Sequence, residues 1–405
     1  MLSQRLIVPV CVLALVAGAT AAPARAAPGL LVGVDDDTAK WQGRSLGLVA
    51  TYRDLGLDRV RVTIPWKLGR TKPTRIVGRY LHRVAGMIVQ GQQVVLAIYG
   101  RAKQAPVDAR ARAQYCGFAA HVLARLPVHE VVIWNEANSP EYWPQAAGAP
   151  AYEALLATCW DRLHGLHRGI RVISSTAVHW DPAGFIHRLG QAYRVSGRAR
   201  PILDLFGHDP YPDFAAEPPS TRHEDPTTIG EGDLERLRTA IDEAFGGTGQ
   251  PVPAIGRPLI WYLEDGFQTL VPAAERSHYR GVESDPSVLP PLSSGAGAQG
   301  TPLDQATQLR DALLLAYCQP DVGAFFNFEL IDEDRLTGWQ SGLLWRGGDR
   351  KDSYNSFREV VAQVKAGQVS CATVPGAPEG DASESGGTLA LRALLSQGPR
   401  LAASG

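Results

Sequence analysis

Glu136 closes the run Val131-Val132-Ile133-Trp134-Asn135-Glu136, and Glu264 closes Leu259-Ile260-Trp261-Tyr262-Leu263-Glu264. Both runs are apolar and rich in β-branched or aromatic residues, the pattern of a buried strand. A carboxylate at the C-terminal end of a parallel strand stands where barrel enzymes gather their reacting groups. Two of them on different strands can divide the work of displacement at an acetal carbon. One carboxylic acid protonates the departing oxygen, and one carboxylate attacks the anomeric carbon or activates water. Asn135, directly before Glu136, adds to this reading, because an amide beside the acid can hold a sugar 2-hydroxyl as an oxocarbenium-like transition state develops. Asp265, next to Glu264, is the competing inward-facing carboxyl on the second run.

The elements that must position these groups follow from periodicity. Short apolar runs lie at Leu30 to Val34, Arg59 to Ile64, Val94 to Tyr99, Val131 to Trp134, Arg171 to Ser175, Leu203 to Gly207, Leu259 to Leu263 and Val322 to Phe328. Helical patterns separate them, such as Leu46, Val49, Tyr52, Leu55 and Tyr152, Leu155, Leu156, Cys159, Leu163. Eight strands, each followed by a helix, predict an α/β chain folded as a (β/α)8 TIM barrel. A doubly wound sheet would want a glycine-rich phosphate loop after an early strand, and Gly33-Val34-Asp35-Asp36-Asp37 is not one. Two long connections, Pro212 to Gly230 and Val271 to Thr301, follow the sixth and seventh strands, so long loops are expected at the C-terminal face. Asp35, Asp36 and Asp37 read as a solvated loop with one residue reaching the substrate. Arg101, Lys103, Arg110 and Arg112 read as the solvated face of a helix.

Composition bounds the rest. The chain has 405 residues, 45% hydrophobic and 20% charged, enough for a large core. Residues 1–26 carry Arg5, the apolar stretch Leu6 to Ala17, and Ala24-Arg25-Ala26, the plan of a secretory signal peptide. The barrel is expected over 27–371 and a low-complexity, disordered tail over 372–405. Removing the signal takes away Arg5 and Arg25 and moves the formal charge from −1 to −3, so nothing favours nucleic acid or anionic membrane. Four cysteines then remain, Cys116, Cys159, Cys318 and Cys371, and in a secreted chain an even number suggests two disulfides. Four cysteines allow three pairings. Cys116 and Cys159 fall in helices after neighbouring strands, whereas Cys318 ends the helix before the eighth strand and Cys371 follows the last helix, so Cys116–Cys159 and Cys318–Cys371 are expected. No spacing suits a metal, and no cofactor is expected. Gly43-Arg44-Ser45-Leu46-Gly47 matches an esterase elbow in letters only, since no hydrophobic strand precedes Ser45.

With Glu136 ending the fourth strand and Glu264 the seventh, the chain resembles the clan A glycoside hydrolases, closest in flavour to families 39 and 5. The resemblance implies that Glu136 is the acid/base and Glu264 the nucleophile. It also implies that Arg61, in Arg61-Val62-Thr63-Ile64-Pro65-Trp66, holds the nucleophile ionised. His208-Asp209-Pro210-Tyr211 resembles the family's His-Pro-Tyr segment, whose tyrosine or histidine touches the nucleophile, with Asp209 inserted. Trp339, in the region after the eighth strand, would floor the sugar site. Two or three of Trp66, Trp134, Trp143, Trp180, Trp339 and Trp345 should stack on sugar, and Trp66 is taken as one of them. Leu263 before the second glutamate and Asp265-Gly266-Phe267 after it depart from the family. The implied protein is a secreted, monomeric, retaining glycosidase acting on a carbohydrate; the alternative is an inactive glycan-binding barrel.

Overall fold

Among the described residues eight parallel strands form: β1 (Leu31–Asp35), β2 (Arg59–Pro65), β3 (Gln93–Tyr99), β4 (Glu130–Ile133), β5 (Arg171–Ile173), β6 (Phe206–His208), β7 (Ile260–Asp265) and β8 (Val322–Phe328). They coincide with the eight runs read from the sequence, within a few residues at the ends. The strand order is β5-β4-β3-β2-β1-β8-β7-β6. Parallel bridges between Ile173 and Leu205, and between Ala177 and Asp209, join the two outer strands and close a (β/α)8 TIM barrel. The computed structural model describes residue 27 and residues 29–378, apart from 43–44, 215, 255 and 283–303. The expected signal peptide and residues 379–405 of the expected tail lie outside the described residues. Residues 372–378 belong to the barrel's own unit.

Alternation along each strand sends one side chain inward and the next outward. Val95, Ala97, Val132, Ile173, Leu205, Trp261, Leu263, Ala324 and Phe326 pack as the barrel's buried interior. Gly33 makes room for them. A Cβ there would sit 2.5 Å from the Phe326 ring and 2.8 Å from the Arg59 carbonyl oxygen, so a larger residue would collide with both.

The helices are α1 (Thr38–Gln42), α2 (Ser45–Asp54), α3 (Arg75–Val89), α4 (Ala109–Leu123), α5 (Gly148–His164), α6 (Pro182–Val195), α7 (Leu234–Phe245), α8 (Gln305–Tyr317) and α9 (Asp352–Lys365). Asp108, Asp181 and Asp304 cap α4, α6 and α8 through backbone N–H groups at 2.7–2.9 Å. Ser45 opens α2, consistent with the rejection of an esterase elbow. Arg101 and Lys103 precede α4 instead of riding on it, which corrects the helix-face reading; Arg101 pairs with Glu141 on the wall of the cleft. Cys116–Cys159 ties α4 to α5, and Cys318–Cys371 ties the end of α8 to the turn after α9, with Cα separations of 4.9 and 5.4 Å. This is the expected pairing. Among the described residues no helix is long and apolar enough to cross a membrane.

Candidate active site

Beyond β4 the alternation breaks. Val132 faces the barrel interior, so strict alternation would bring Trp134 inward too. Trp134 instead takes a left-handed backbone, φ 67°, a conformation that costs a bulky residue free energy unless its surroundings impose it. Its indole is driven outward to Trp66, Tyr115 and Trp143, with ring centroids 5.7–6.1 Å away, and Nε1 donates to the Tyr142 carbonyl at 2.7 Å. That reversal turns Asn135 inward. Glu136 is left-handed as well, φ 38°, and its N–H donates to Ser175 Oγ at 2.9 Å.

In β7 the side chains of Trp261 and Leu263 point inward, so the same rule would send Glu264 outward and Asp265 in. A bulge prevents this: Tyr262 pairs with Phe325 and Asp265 with Asn327, three residues of β7 against two of β8. Glu264 therefore opens into the cleft, while Asp265 is fully buried beneath it, near Glu231.

Two of the expected residues, Arg61 and Tyr211, converge on Glu264, and a third, Asn135, joins them through Arg61. Arg61 Nη1 donates to Glu264 Oε1 at 2.6 Å, Arg61 Nη2 donates to Asn135 Oδ1 at 2.9 Å, and Tyr211 OH donates to Glu264 Oε2 at 2.9 Å. Both carboxylate oxygens thus accept a bond. Arg61 is completely buried and also pairs with Asp35, which shares its charge. Among the described residues no cation forms an ion pair with Glu136, Arg61 acting on it only from a distance. Burial first, then the charge of Glu264, pushes its carboxyl up to about 8, partly offset by Arg61. One carboxyl is held as an ion pair and the other keeps its proton near neutrality, a separation of roles that acid and nucleophile require.

The cleft encloses about 720 Å³ at the C-terminal ends of the strands. Trp339 lines it, its ring centroid 4.8 Å from that of Tyr211. Trp180 also lines it and is 57% exposed, held by a left-handed backbone at residues 180 and 181. Tyr99 and Tyr142 form a further wall, edge to face at 5.6 Å.

Two expected contacts are absent. Trp66 does not line the cleft: it is 1% exposed and its Nε1 donates to the Arg70 carbonyl at 2.8 Å, leaving no face for a sugar. His208 points out of the barrel, with Nδ1 2.9 Å from Thr176 Oγ1 and Nε2 2.8 Å from the Ile229 carbonyl oxygen. Burial lowers it to about 4, so it is neutral at ordinary pH.

Its neighbour Asp209 faces inward and was not anticipated. Asp209 is fully buried, accepts from Ser175 Oγ at 3.3 Å, and is pushed well above the usual carboxylate range by burial and by the charges of Glu264 and Glu136. Asp35 and Asp36 are likewise buried, Asp36 accepting from Tyr52 OH at 2.6 Å, so the solvated-loop reading of that triplet is corrected for both. A carboxylate closing Val32-Gly33-Val34-Asp35 was a strand-end signal of the same kind as Glu136.

The closed (β/α)8 barrel is the fold in which solved structures similar to this chain are found. The chain matches no protein family model and no curated protein. Solved structures are similar in fold. A family 39 glycoside hydrolase from Bacteroides cellulosilyticus WH2 superposes with a TM-score of 0.58 at 16% identity over 82% of this chain and 64% of that one, so this chain spans under two thirds of its length. An exo-β-1,4-mannosidase from Opitutaceae bacterium strain TAV5 gives 0.54 at 13% identity, covering 83% and 60%. The GH53 catalytic domain of Ignisphaera aggregans gives 0.52 at 15% identity, covering 84% and 99%.

Proposed function

We propose that the protein is a secreted retaining glycosidase. The observation that carries the reading is the division between two carboxyls on one cleft: Glu264 bonded at both oxygens by Arg61 and Tyr211, and Glu136 raised to about 8. Glu264 attacks the anomeric carbon as Glu136 gives its proton to the leaving oxygen, forming a glycosyl ester on Glu264. Esterification removes the negative charge that raised Glu136, so its pKa falls and it becomes the base that deprotonates water. Asn135, held by Arg61, would bind a 2-hydroxyl, and Trp339 would lie under a sugar ring. Two disulfides and the leader-like segment 1–26 support export.

The test is a screen of aryl glycosides with parallel polysaccharide digestion, followed by proton NMR of the first-formed anomer. Retention supports the reading. Inverted product first would overturn the mechanism, and binding without turnover over long incubation would replace it with a glycan-binding barrel.

A further inference from the structure

We infer that His223 is a pH-dependent latch: as an imidazolium it pins the loop after β6 to the turn before α7, and on losing its proton it releases that loop. The loop starts at Tyr211, the donor to Glu264, so the latch governs how firmly one wall of the cleft is held.

Two carboxylates face the one ring. His223 Nδ1 lies 2.6 Å from Asp233 Oδ2, and Nε2 lies 3.0 Å from Glu217 Oε1, the second an ion-pair contact rather than an aligned hydrogen bond. The imidazole is 10% exposed and each carboxylate 3%. A neutral imidazole has one N–H and would turn a lone pair toward one of these carboxylates; the imidazolium offers a proton and charge to both. Gly230 makes the seat for the ring, since a Cβ there would stand 2.8 Å from His223 Cε1. The loop backbone closes over the same carboxylates. The His223 N–H donates to Asp233 Oδ1 at 3.1 Å, the Gly230 N–H to Asp233 Oδ2 at 3.0 Å, and the Asp213 N–H to Glu217 Oε2. Pro210, Tyr211 and Pro212 line one small pocket with Glu217 and His223, which sets the latch directly behind the residue that bonds Glu264.

The other charged groups around the ring come from every side. Glu231 and Asp265 line the same pocket, and Asp213 acts from the loop itself. Arg236 of α7 lies 3.7 Å from Asp233 and donates to the His223 carbonyl at 2.6 Å. Beyond Asp213 stands His179, on the segment after β5, its Nε2 3.1 Å from Asp213 Oδ1. Burial opposes protonation of His223, but Asp233, Glu217 and Asp213 outweigh it and raise the imidazole above its ordinary value. The closed loop thus keeps a proton that an opened one gives up. Its stabilisation is complete below about pH 6.5 and is lost as pH rises beyond that.

The test is amide hydrogen exchange on the full chain, which needs no substrate, so its outcome is independent of whether the protein hydrolyses glycosides. After correction for intrinsic rates, protection at Asp213, His223 and Gly230 should fall about tenfold or more between about pH 5.5 and about pH 8, the scale of one lost charge-assisted contact, while β2 and β3 stay level. Glu217→Gln removes the conflict, because a neutral ring can donate to Asp233 at Nδ1 and accept the Gln amide at Nε2; the pH dependence should vanish. His223→Gln, which never carries the charge, should leave the loop poorly protected at both pH values. In histidine-labelled protein, the ring resonance missing from His223→Gln should titrate above about 6.5. Equal protection of the wild-type loop at both pH values, or a His223 resonance titrating below about 6.5, overturns the inference. So does a pH dependence that persists in Glu217→Gln, which would transfer it to His179, or a His223→Gln loop protected like wild type in acid.

Discussion

Arg61 Nη1 and Glu264 Oε1 meet at 2.6 Å although 203 positions separate them in the chain, and the arginine that makes this contact is wholly shielded from water. The pair lies at the point where β2 and β7 face each other across the barrel. Removing the cation would strand Asp35 and Glu264 as buried, uncompensated charges. Arg61→Ala should therefore cost about 3–5 kcal/mol of stability as well as activity. Arg61→Lys, which keeps the charge but not the fork that also reaches Asn135, should restore much of the stability and little of the turnover. Thermal unfolding and kcat/KM measured on both variants check this; equal stability for Ala and Lys would contradict it.

Tyr211→Phe deletes a single hydrogen bond to Glu264 Oε2 and leaves the ring against Trp339. A bond to a charged group contributes about 1.5–3 kcal/mol, so kcat/KM should fall by roughly 10- to 100-fold. A variant within twofold of wild type would remove Tyr211 from the machinery.

Glu264→Ala should abolish turnover of every glycoside, since no covalent intermediate can form. Glu136→Ala should still glycosylate itself from dinitrophenyl glycosides, which need little protonation, and should then stall. Azide, which needs no base, should speed release and yield a glycosyl azide. Near wild-type rates in both variants would discard the assignment.

For Glu136, kcat/KM should decline as pH rises through about 8, because the free enzyme needs it protonated. The folded pKa lies above the unfolded value of about 4.3, so between these limits the folded state retains a proton that the unfolded chain has lost, and stability drops as pH climbs. Glu136→Gln should escape that drop. Its melting temperature relative to wild type should grow from pH 5 to pH 8 and then level; a difference independent of pH would sink the claim.

Asp209→Asn tests the unanticipated third carboxyl. Asn keeps the link to Ser175, so the fold should persist. If the Asp209 carboxyl is neutral in the resting enzyme, the pH profile should scarcely move at neutral pH, whereas a charged Asp209 would give a lowered basic limb in the variant, by loss of a negative neighbour of Glu136.

The strands, their count and the two glutamates were legible because they depend on short-range features: apolar runs of strand length, two of them running into a glutamate. The disulfide pairing was legible for a similar reason, since a barrel places consecutive helices side by side. Alternation, applied to individual residues, would already have corrected two expectations. Counting from the inward Arg61 and Thr63 sends Trp66 outward, and counting from the inward Leu205 sends His208 outward and Asp209 in.

What the chain's letters do not contain is the breaking of that alternation. Trp134 reverses its side chain through a left-handed backbone that only the packing of Trp66, Tyr115 and Trp143 around it can hold. Glu264 rather than Asp265 enters the cleft because β7 carries one residue more than β8 opposite it, and a bulge is a property of two paired strands. Likewise, that Glu264 has a cationic partner is decided by Arg61, 203 positions away. Residue types and strand ends therefore determined which groups could react, while tertiary packing, through backbone reversals, register and burial, decided which of them face one another and in which charge state.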